Sequence, residues 1–285
     1  MCRPYSNWYT NNVLQKFIHQ QLNYPYSLYV HYRTTIRLRR PTLVFLHGIG
    51  NSGAAWDTTV SQLPNDINIV TIDLLGFGKS AKPQWAKYDA SEQARAVMFT
   101  LLKMGITNNI IIVGHSLGAL TAVECAQRYP KRVVSLVLCS PPLYDNTRSK
   151  SVLPKSDAIL RKMYTTVHNN PDEFAKIATF ASKYKLVNPS FNVTKENVEI
   201  YITALEAMII NQEAFEKTIN VRIPTTIIYG TLDPFVVSAN FKKLATHNPN
   251  ISIQSIIAGH EVRGKFIPAV IAAIEQAVLE PQRAL

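Results

Sequence analysis

Residues 109–129 read NIIIVGHSLGALTAVECAQRY, and this stretch decides the fold. Ile110, Ile111, Ile112 and Val113 form a continuous β-branched run. Such a run reads as a strand buried on both faces, as in a parallel sheet. It meets the turn Gly114-His115-Ser116-Leu117-Gly118. Residues 117–129 then read as a helix, with Leu120, Val123 and Cys125 among its apolar positions. A strand, a tight G-x-S-x-G turn and a helix make a nucleophile elbow. Its glycines admit a backbone that side chains would block, and its strain lifts the Ser116 hydroxyl clear of the sheet.

The bare pattern arises by chance in roughly one chain in ten of this length, so the flanking sequence must carry the assignment. Upstream, 26–32, 42–46 and 67–73 read as strands, and 9–22, 52–63 and 91–104 as helices, the first amphipathic. Downstream, 133–138 is a strand closed by Ser140-Pro141-Pro142. From 143 to 220 no strand is evident; 157–168, 172–184, 195–210 and 213–219 read as helices. Strands return at 225–229 and 251–257, and a last helix spans 267–279. Alternating strands and helices imply an α/β fold with a mostly parallel central sheet and helices on both faces. Ligands of such sheets bind beyond the carboxyl ends of the strands. A helical block inserted there lies over the site, so 143–220 is expected to be a lid on a core made of 1–142 and 221–285, all within a single domain.

A nucleophilic serine needs a base, and the base an orienting acid, at the carboxyl ends of later strands in the chain order Ser, acid, His. The strand at 225–229 runs into Gly230-Thr231-Leu232-Asp233-Pro234, and that at 251–257 into Ala258-Gly259-His260-Glu261. Ser116, Asp233 and His260 are therefore the expected catalytic residues. Read blandly, Asp233 is a turn-forming Asp-Pro and His260 a loop histidine at a glycine turn. Asp145, just after the preceding strand, is an alternative acid. His47 and His115 adjoin the glycine loop and the nucleophile, and His19, His31, His168 and His247 fall on outer elements. An oxyanion needs preorganised donors. The backbone N–H groups of Leu117, after the nucleophile, and Ile49, in the loop after 42–46, are the expected pair. Gly48 and Gly50 would let that loop approach a substrate closely.

Composition bounds the rest. The chain has 285 residues, of which 47% are hydrophobic and 17% charged, enough for one large α/β domain. No segment approaches 18 uninterrupted apolar residues, so no integral membrane segment is expected, and the N-terminus lacks the apolar run of a signal peptide. Of three cysteines, Cys125 and Cys139 fall in apolar patterns, as buried free thiols do, which points to a reducing cytoplasm. The net charge of +11 reads as a solvated basic surface, although such an excess also suits anionic membranes or nucleic acid. The densest patch, Arg33, Arg37, Arg39 and Arg40, carries no nucleic-acid motif, so no nucleic-acid partner is expected. No metal site or cofactor is implied. The oligomeric state is open.

Four motifs stand in a familiar order: LHGIG at 46–50, DLLGFGKS at 73–80, the elbow, and GTLD at 230–233 followed by GH at 259–260. On these the chain resembles an α/β-hydrolase-fold serine hydrolase over essentially its whole length, of the lidded, esterase-like bacterial kind. Two departures stand out: a helix and a single strand open the chain where the family often has a hairpin, and Ala119 replaces a common glycine. The resemblance implies cleavage of a carboxylic ester or related acyl bond through an acyl-serine intermediate, on a small-molecule substrate with an apolar acyl group. A C–C bond hydrolase of the same fold is the alternative, although its loop usually carries Gly-Pro where Gly50-Asn51 stands. A non-catalytic ligand-binding member is a third. Epoxide hydrolases and haloalkane dehalogenases share the fold but use Asp where Ser116 stands. The lid offers Met163, Tyr164, Phe174, Phe180, Tyr184, Phe191, Tyr201 and Met208, most of which are expected to pack the lid itself.

Overall fold

The computed structural model describes residues 13–37, 40–64, 66–145, 165, 168–174, 176, 188–195 and 197–279. Its frame is a seven-stranded sheet. The strands are β1 (Tyr29–Arg33), β2 (Thr42–Leu46), β3 (Asn68–Asp73), β4 (Ile110–His115), β5 (Val133–Cys139), β6 (Thr225–Gly230) and β7 (Ile251–Ile256). They lie in the order β1-β3-β2-β4-β5-β6-β7, and only β1 runs antiparallel to its neighbour. The elbow strand β4 is thus central, paired with β2 on one side and β5 on the other. From β2 the chain crosses to β3 on one flank and later returns to β4 on the other. That reversal opens a crevice at the carboxyl ends of β2 and β4.

The continuous apolar runs have a simple cause: both sheet faces are covered. On β2, Val44 and Leu46 face one core cluster, while Leu43 and Phe45 face another. The first cluster gathers α3 (Ala90–Lys103) and α4 (Leu117–Arg128), the second α8 (Phe266–Leu279) and the plug Trp56. With period-two side chains, a strand between two apolar layers is apolar at every position.

Several boundaries differ from those read in the sequence. The helix expected at 52–63 is a 3-10 turn, Gly53–Trp56, running into the short α2 (Asp57–Val60). Its start is bent by the Asp73 carboxylate, which takes the Gly53 amide N–H at 2.6 Å. Of 9–22, the described part is α1 (Val13–Lys16) continued by a π turn, Phe17–Gln21. Val13, Leu14, Phe17 and Leu22 are exposed, so the expected apolar face does not join the core. The expected 195–210 helix is α5 (Val198–Leu205) ending in a π turn, Glu206–Ile210, and 213–219 is α6 (Ala214–Ile219). A helix not foreseen, α7 (Ser238–His247), lies between β6 and β7 and buries Phe241 and Leu244. The expected helices at 157–168 and 172–184 fall largely outside the described residues, although 171–174 are helical. No helix among the described residues is long and apolar enough to cross a membrane.

At the elbow the packing is backbone on backbone. A Cβ at Gly114 would stand 2.5 Å from the Gly118 carbonyl oxygen, and one at Gly118 would overlap the Leu46 carbonyl. Backbone, unlike a flexible side chain, has no room to yield. Gly118→Ala should therefore cost about 1–3 kcal/mol through overpacking, read as a lower urea midpoint with an unchanged m-value. A midpoint equal to that of the wild type would show that α4 can lift away from β2 freely.

Candidate active site

Ser116 sits between β4 and α4 at φ 51° and ψ −115°. A non-glycine residue held at positive φ costs on the order of 1–3 kcal/mol. The surroundings enforce it: the Ser116 N–H donates to the Cys139 carbonyl at 3.0 Å, and the Ser116 carbonyl accepts from the Ala119 N–H at 2.9 Å. The hydroxyl makes no capping bond to α4. Leu117 opens that helix, where backbone N–H groups have no intrahelical acceptor. Among the described residues, neither the Leu117 nor the Ile49 N–H is paired with an acceptor.

Asp233 and His260 meet at the ends of β6 and β7. His260 Nδ1 lies 2.7 Å from Asp233 Oδ2, and the carboxylate side chain is fully buried. The Phe235 amide N–H donates to the other carboxylate oxygen at 2.9 Å, a local turn of the kind an Asp before Pro234 favours. Burial alone would raise the Asp233 carboxyl. The His260 hydrogen bond and charge, with the Phe235 amide, outweigh it and hold the pKa below its ordinary value. The buried Ser140 hydroxyl adds to the lowering by its proximity, without completing a well-formed hydrogen bond. Asp145, the alternative acid, is instead bound to Lys243 on α7 at 2.6 Å. The sheet thus brings Asp233, and not Asp145, to His260.

Two further histidines flank the site, both kept neutral by burial. His47 Nε2 accepts the Leu74 N–H at 2.9 Å, so its proton sits on Nδ1 and is donated to the Gly48 carbonyl at 2.7 Å. Burial lowers its pKa. His115 donates from Nε2 to the His260 carbonyl at 2.9 Å. This ties the His260 loop to the residue next to Ser116.

The sequence reading gave no role to Asp73. Its carboxylate receives the Gly53 N–H at 2.6 Å and the Lys79 N–H at 2.7 Å, buckling the loops after β2 and β3 together. A carboxylate closing a fully buried strand, just before Gly76 and Gly78, was the available signal. Nor did that reading foresee that 190–192 would clasp the loop after β2. The Asn192 N–H donates to the Gly50 carbonyl at 2.7 Å and the Ser190 hydroxyl to Asn51 Oδ1 at 2.9 Å. The Phe191 ring lies so close over Gly50, at φ 74°, that a Cβ there would stand 2.5 Å from Cε2. In the opposite direction, Arg37 and Arg40 of the basic patch turn to Asp66, whose carbonyl accepts from both.

A family model described as alpha/beta hydrolase fold matches residues 41–262. Lipase 1 of Psychrobacter immobilis is 29% identical over 209 residues, 68% of this chain and 62% of that protein. A probable lysophospholipase of Arabidopsis thaliana, BODYGUARD 4, is 31% identical over 113 residues, 39% of this chain. The match spans only 27% of that protein's length. Among solved structures, an enol-lactonase from Burkholderia xenovorans superposes with a TM-score of 0.67 at 19% identity, covering 90% of this chain and 100% of its own. An esterase from Thermogutta terrifontis gives 0.65 at 19% identity, covering 90% of this chain and 93% of its own.

The Asp233 carboxyl titrates lower in the fold than its ordinary value of 3.8. A depressed carboxyl contributes stability that is fully present above the unfolded value and is lost as pH falls through the folded one. The stability gap between wild type and Asp233→Asn should therefore be flat above pH 3.8 and narrow below it. Urea titrations at stepped pH measure this. A gap unchanged on acidification would show that the carboxylate gains nothing from its partners.

Proposed function

The chain belongs to the alpha/beta hydrolase fold family, and from that premise we propose that it hydrolyses a carboxylic ester, or a related acyl bond, through an acyl-serine intermediate. The observation that carries the reading is the 2.7 Å pair of Asp233 and His260 at the ends of β6 and β7, on the same sheet edge as Ser116's elbow. In this reading Ser116 Oγ attacks the acyl carbonyl carbon while His260 Nε2 takes its proton. Asp233 accepts the Nδ1–H bond and stabilises the imidazolium. The oxyanion accepts from the Ile49 and Leu117 N–H groups, neither of which is paired among the described residues. His260 then returns the proton to the departing alkoxide, which leaves the acyl-serine. A water, deprotonated by His260, adds to that ester, and collapse frees the acid and Ser116. The names of the relatives support the bond type: a lipase, a probable lysophospholipase, an esterase and an enol-lactonase are all named for cleavage of esters.

The segment 143–220 is proposed to act as a lid over this chemistry. It leaves at the carboxyl end of β5, the sheet edge that carries Ser116 and Asp233, reaches the loop after β2 on that edge through Asn192, and rejoins the sheet at the amino end of β6. Its described part joins the main core through Val193, Val198, Ile200, Tyr201 and Met208. Phe174 meets Tyr201 at a 5.3 Å ring separation, and Phe191 meets the same ring at 6.3 Å. In this reading an acyl chain would lie between these aromatic side chains and the core, where apolar contact suits it and water is excluded. A cytoplasmic setting is supported by Cys125 and Cys139, both buried thiols whose pKa values burial pushes up, away from thiolate reactivity.

A fluorophosphonate should label the wild type and fail on Ser116→Ala, and equal labelling of both would sink the nucleophile assignment. Asp233→Asn should lower kcat by on the order of 10⁴, through the wrong imidazole tautomer; if Asp145→Asn is the crippling change instead, the acid is misassigned. For the lid, a panel of p-nitrophenyl esters of graded length is the measurement. Phe174→Ala and Tyr201→Ala should shift the preferred acyl length while labelling of Ser116 stays nearly intact. An unchanged preference in both variants would refute the lid's role in substrate choice.

A further inference from the structure

We propose that His115, the residue before Ser116, is a positioning residue for His260, holding the proposed base through its backbone carbonyl. The inference rests on the reading of His260 as the base. The placement follows from strand geometry. Ile111 and Val113 of β4 face the cluster that contains Phe266 of α8. With period two, His115 continues that row at the sheet's carboxyl end. The chain that carries His260 descends into α8 on the same face.

His260 lies in a stretch with little regular structure between β7 and α8. Nearby backbone bonds there are few: the Ala258 carbonyl accepts from Leu232, and Arg263 donates to the Glu261 carbonyl. The His260 carbonyl is held by the His115 Nε2–H at 2.9 Å. The two rings also pack, with centroids 4.9 Å apart and planes tilted by 50°. The Phe235 ring meets the His260 ring edge-on at 5.0 Å. Asp233 thus orients the imidazole at Nδ1, while His115 fixes the backbone from which it swings.

His115 also touches the other proposed catalytic loop. A Cβ on Gly48 would stand 2.9 Å from His115 Nδ1, so the imidazole rests directly on the backbone that leads to Ile49. One side chain therefore sets the spacing between the oxyanion loop and the base loop. It can do so only as a neutral donor, because an imidazolium there would oppose the one forming on His260. Burial, then the neighbouring His260, pushes its pKa down to about 3, so it remains neutral while His260 cycles.

The test separates donor from bulk. His115→Gln keeps a neutral N–H donor near the Nε2 position, whereas the shorter amide of His115→Asn does not reach the His260 carbonyl. With p-nitrophenyl acetate, Asn should lower kcat roughly 10- to 100-fold with KM nearly unchanged, and Gln should stay within roughly threefold of wild type, as expected for a misplaced and a rescued base. A readout independent of turnover is the downfield proton resonance of His260 Nδ1–H bonded to Asp233. It should persist in wild type and Gln and broaden or vanish in Asn. An Asn variant with wild-type kcat and an unchanged resonance overturns the proposal, as does a loss confined to KM. Should Asn not fold, a folded Gln variant that loses the resonance overturns it equally. Failure of the hydrolase reading is distinct: the wild type itself would take no fluorophosphonate and turn over no ester, while the resonance would still report on His115.

Discussion

Everything at the carboxyl edge of the sheet depends on how closely α4 approaches the ends of β2 and β4. Leu46 pairs with Gly114 across the two strands. The helix that follows Ser116 then seats Gly118 directly against the Leu46 and His47 carbonyls. No side chain fits in that contact, so the turn from strand to helix must be made within two residues. Ser116 takes the strain, at φ 51°. The strain is held because the Ser116 amide and carbonyl are both bonded to fixed neighbours. The same approach sets the loop after β2 beside the first turn of α4. Ile49 and Leu117, the two amides proposed to bind an oxyanion, thereby follow closely on the ends of the paired strands β2 and β4.

Around that frame, each charged or ionisable group is matched to one task by its environment. Asp233 is buried and would be expected to protonate, but it accepts bonds from His260 and the Phe235 amide and stays ionised. His47 and His115 are buried without a carboxylate bonded to either ring, and both have lowered pKa values. They serve as neutral brackets, one tying Gly48 to Leu74 and the other tying His260 to the elbow. The Asp73 carboxylate accepts two backbone amides, which satisfies buried donors that would otherwise cost roughly 1–3 kcal/mol each. Of three histidines in one neighbourhood, only His260 has a carboxylate on its ring, which sets it apart from the other two as a candidate base.

The sequence made the sheet, the elbow and the positions of Asp233 and His260 legible because each is encoded locally. Apolar runs mark strands covered on both faces, and glycine turns mark their ends. What it hid was encoded by tertiary contact. The choice between Asp233 and Asp145 needed α7, a helix the reading passed over, whose Lys243 engages Asp145. That helix shows only Phe241 and Leu244 as its apolar side among lysines, a weak periodic signal in ten residues. The loop at 52–63 reads as a helix by composition, but the Asp73 carboxylate captures its first amide and Trp56 plugs the far sheet face, so only a short helical turn survives. His115 was visible in the motif but its neighbour was 145 residues away, and no periodicity predicts such a contact.

The clasp between 190–192 and the loop after β2 has a consequence for how binding and chemistry would be linked. Gly50 and Asn51 are held from the insertion side by the Asn192 amide, the Ser190 hydroxyl and the Phe191 ring. From the core side, Asn51 donates to the Gly48 carbonyl at 3.2 Å and His47 fixes Gly48 itself. Ile49, between these anchors, has its amide position determined jointly by core and insertion. Phe191 in turn packs on Tyr201, whose ring also meets Phe174. Contacts that a bound acyl group makes with those aromatic rings would therefore bear on the same backbone that is proposed to stabilise the oxyanion. An energetic link of this kind requires no long relay. Phe191 touches the loop directly, so binding energy gained against the proposed lid would be expressed at the proposed oxyanion site, which is how contact remote from the scissile bond raises kcat rather than affinity alone.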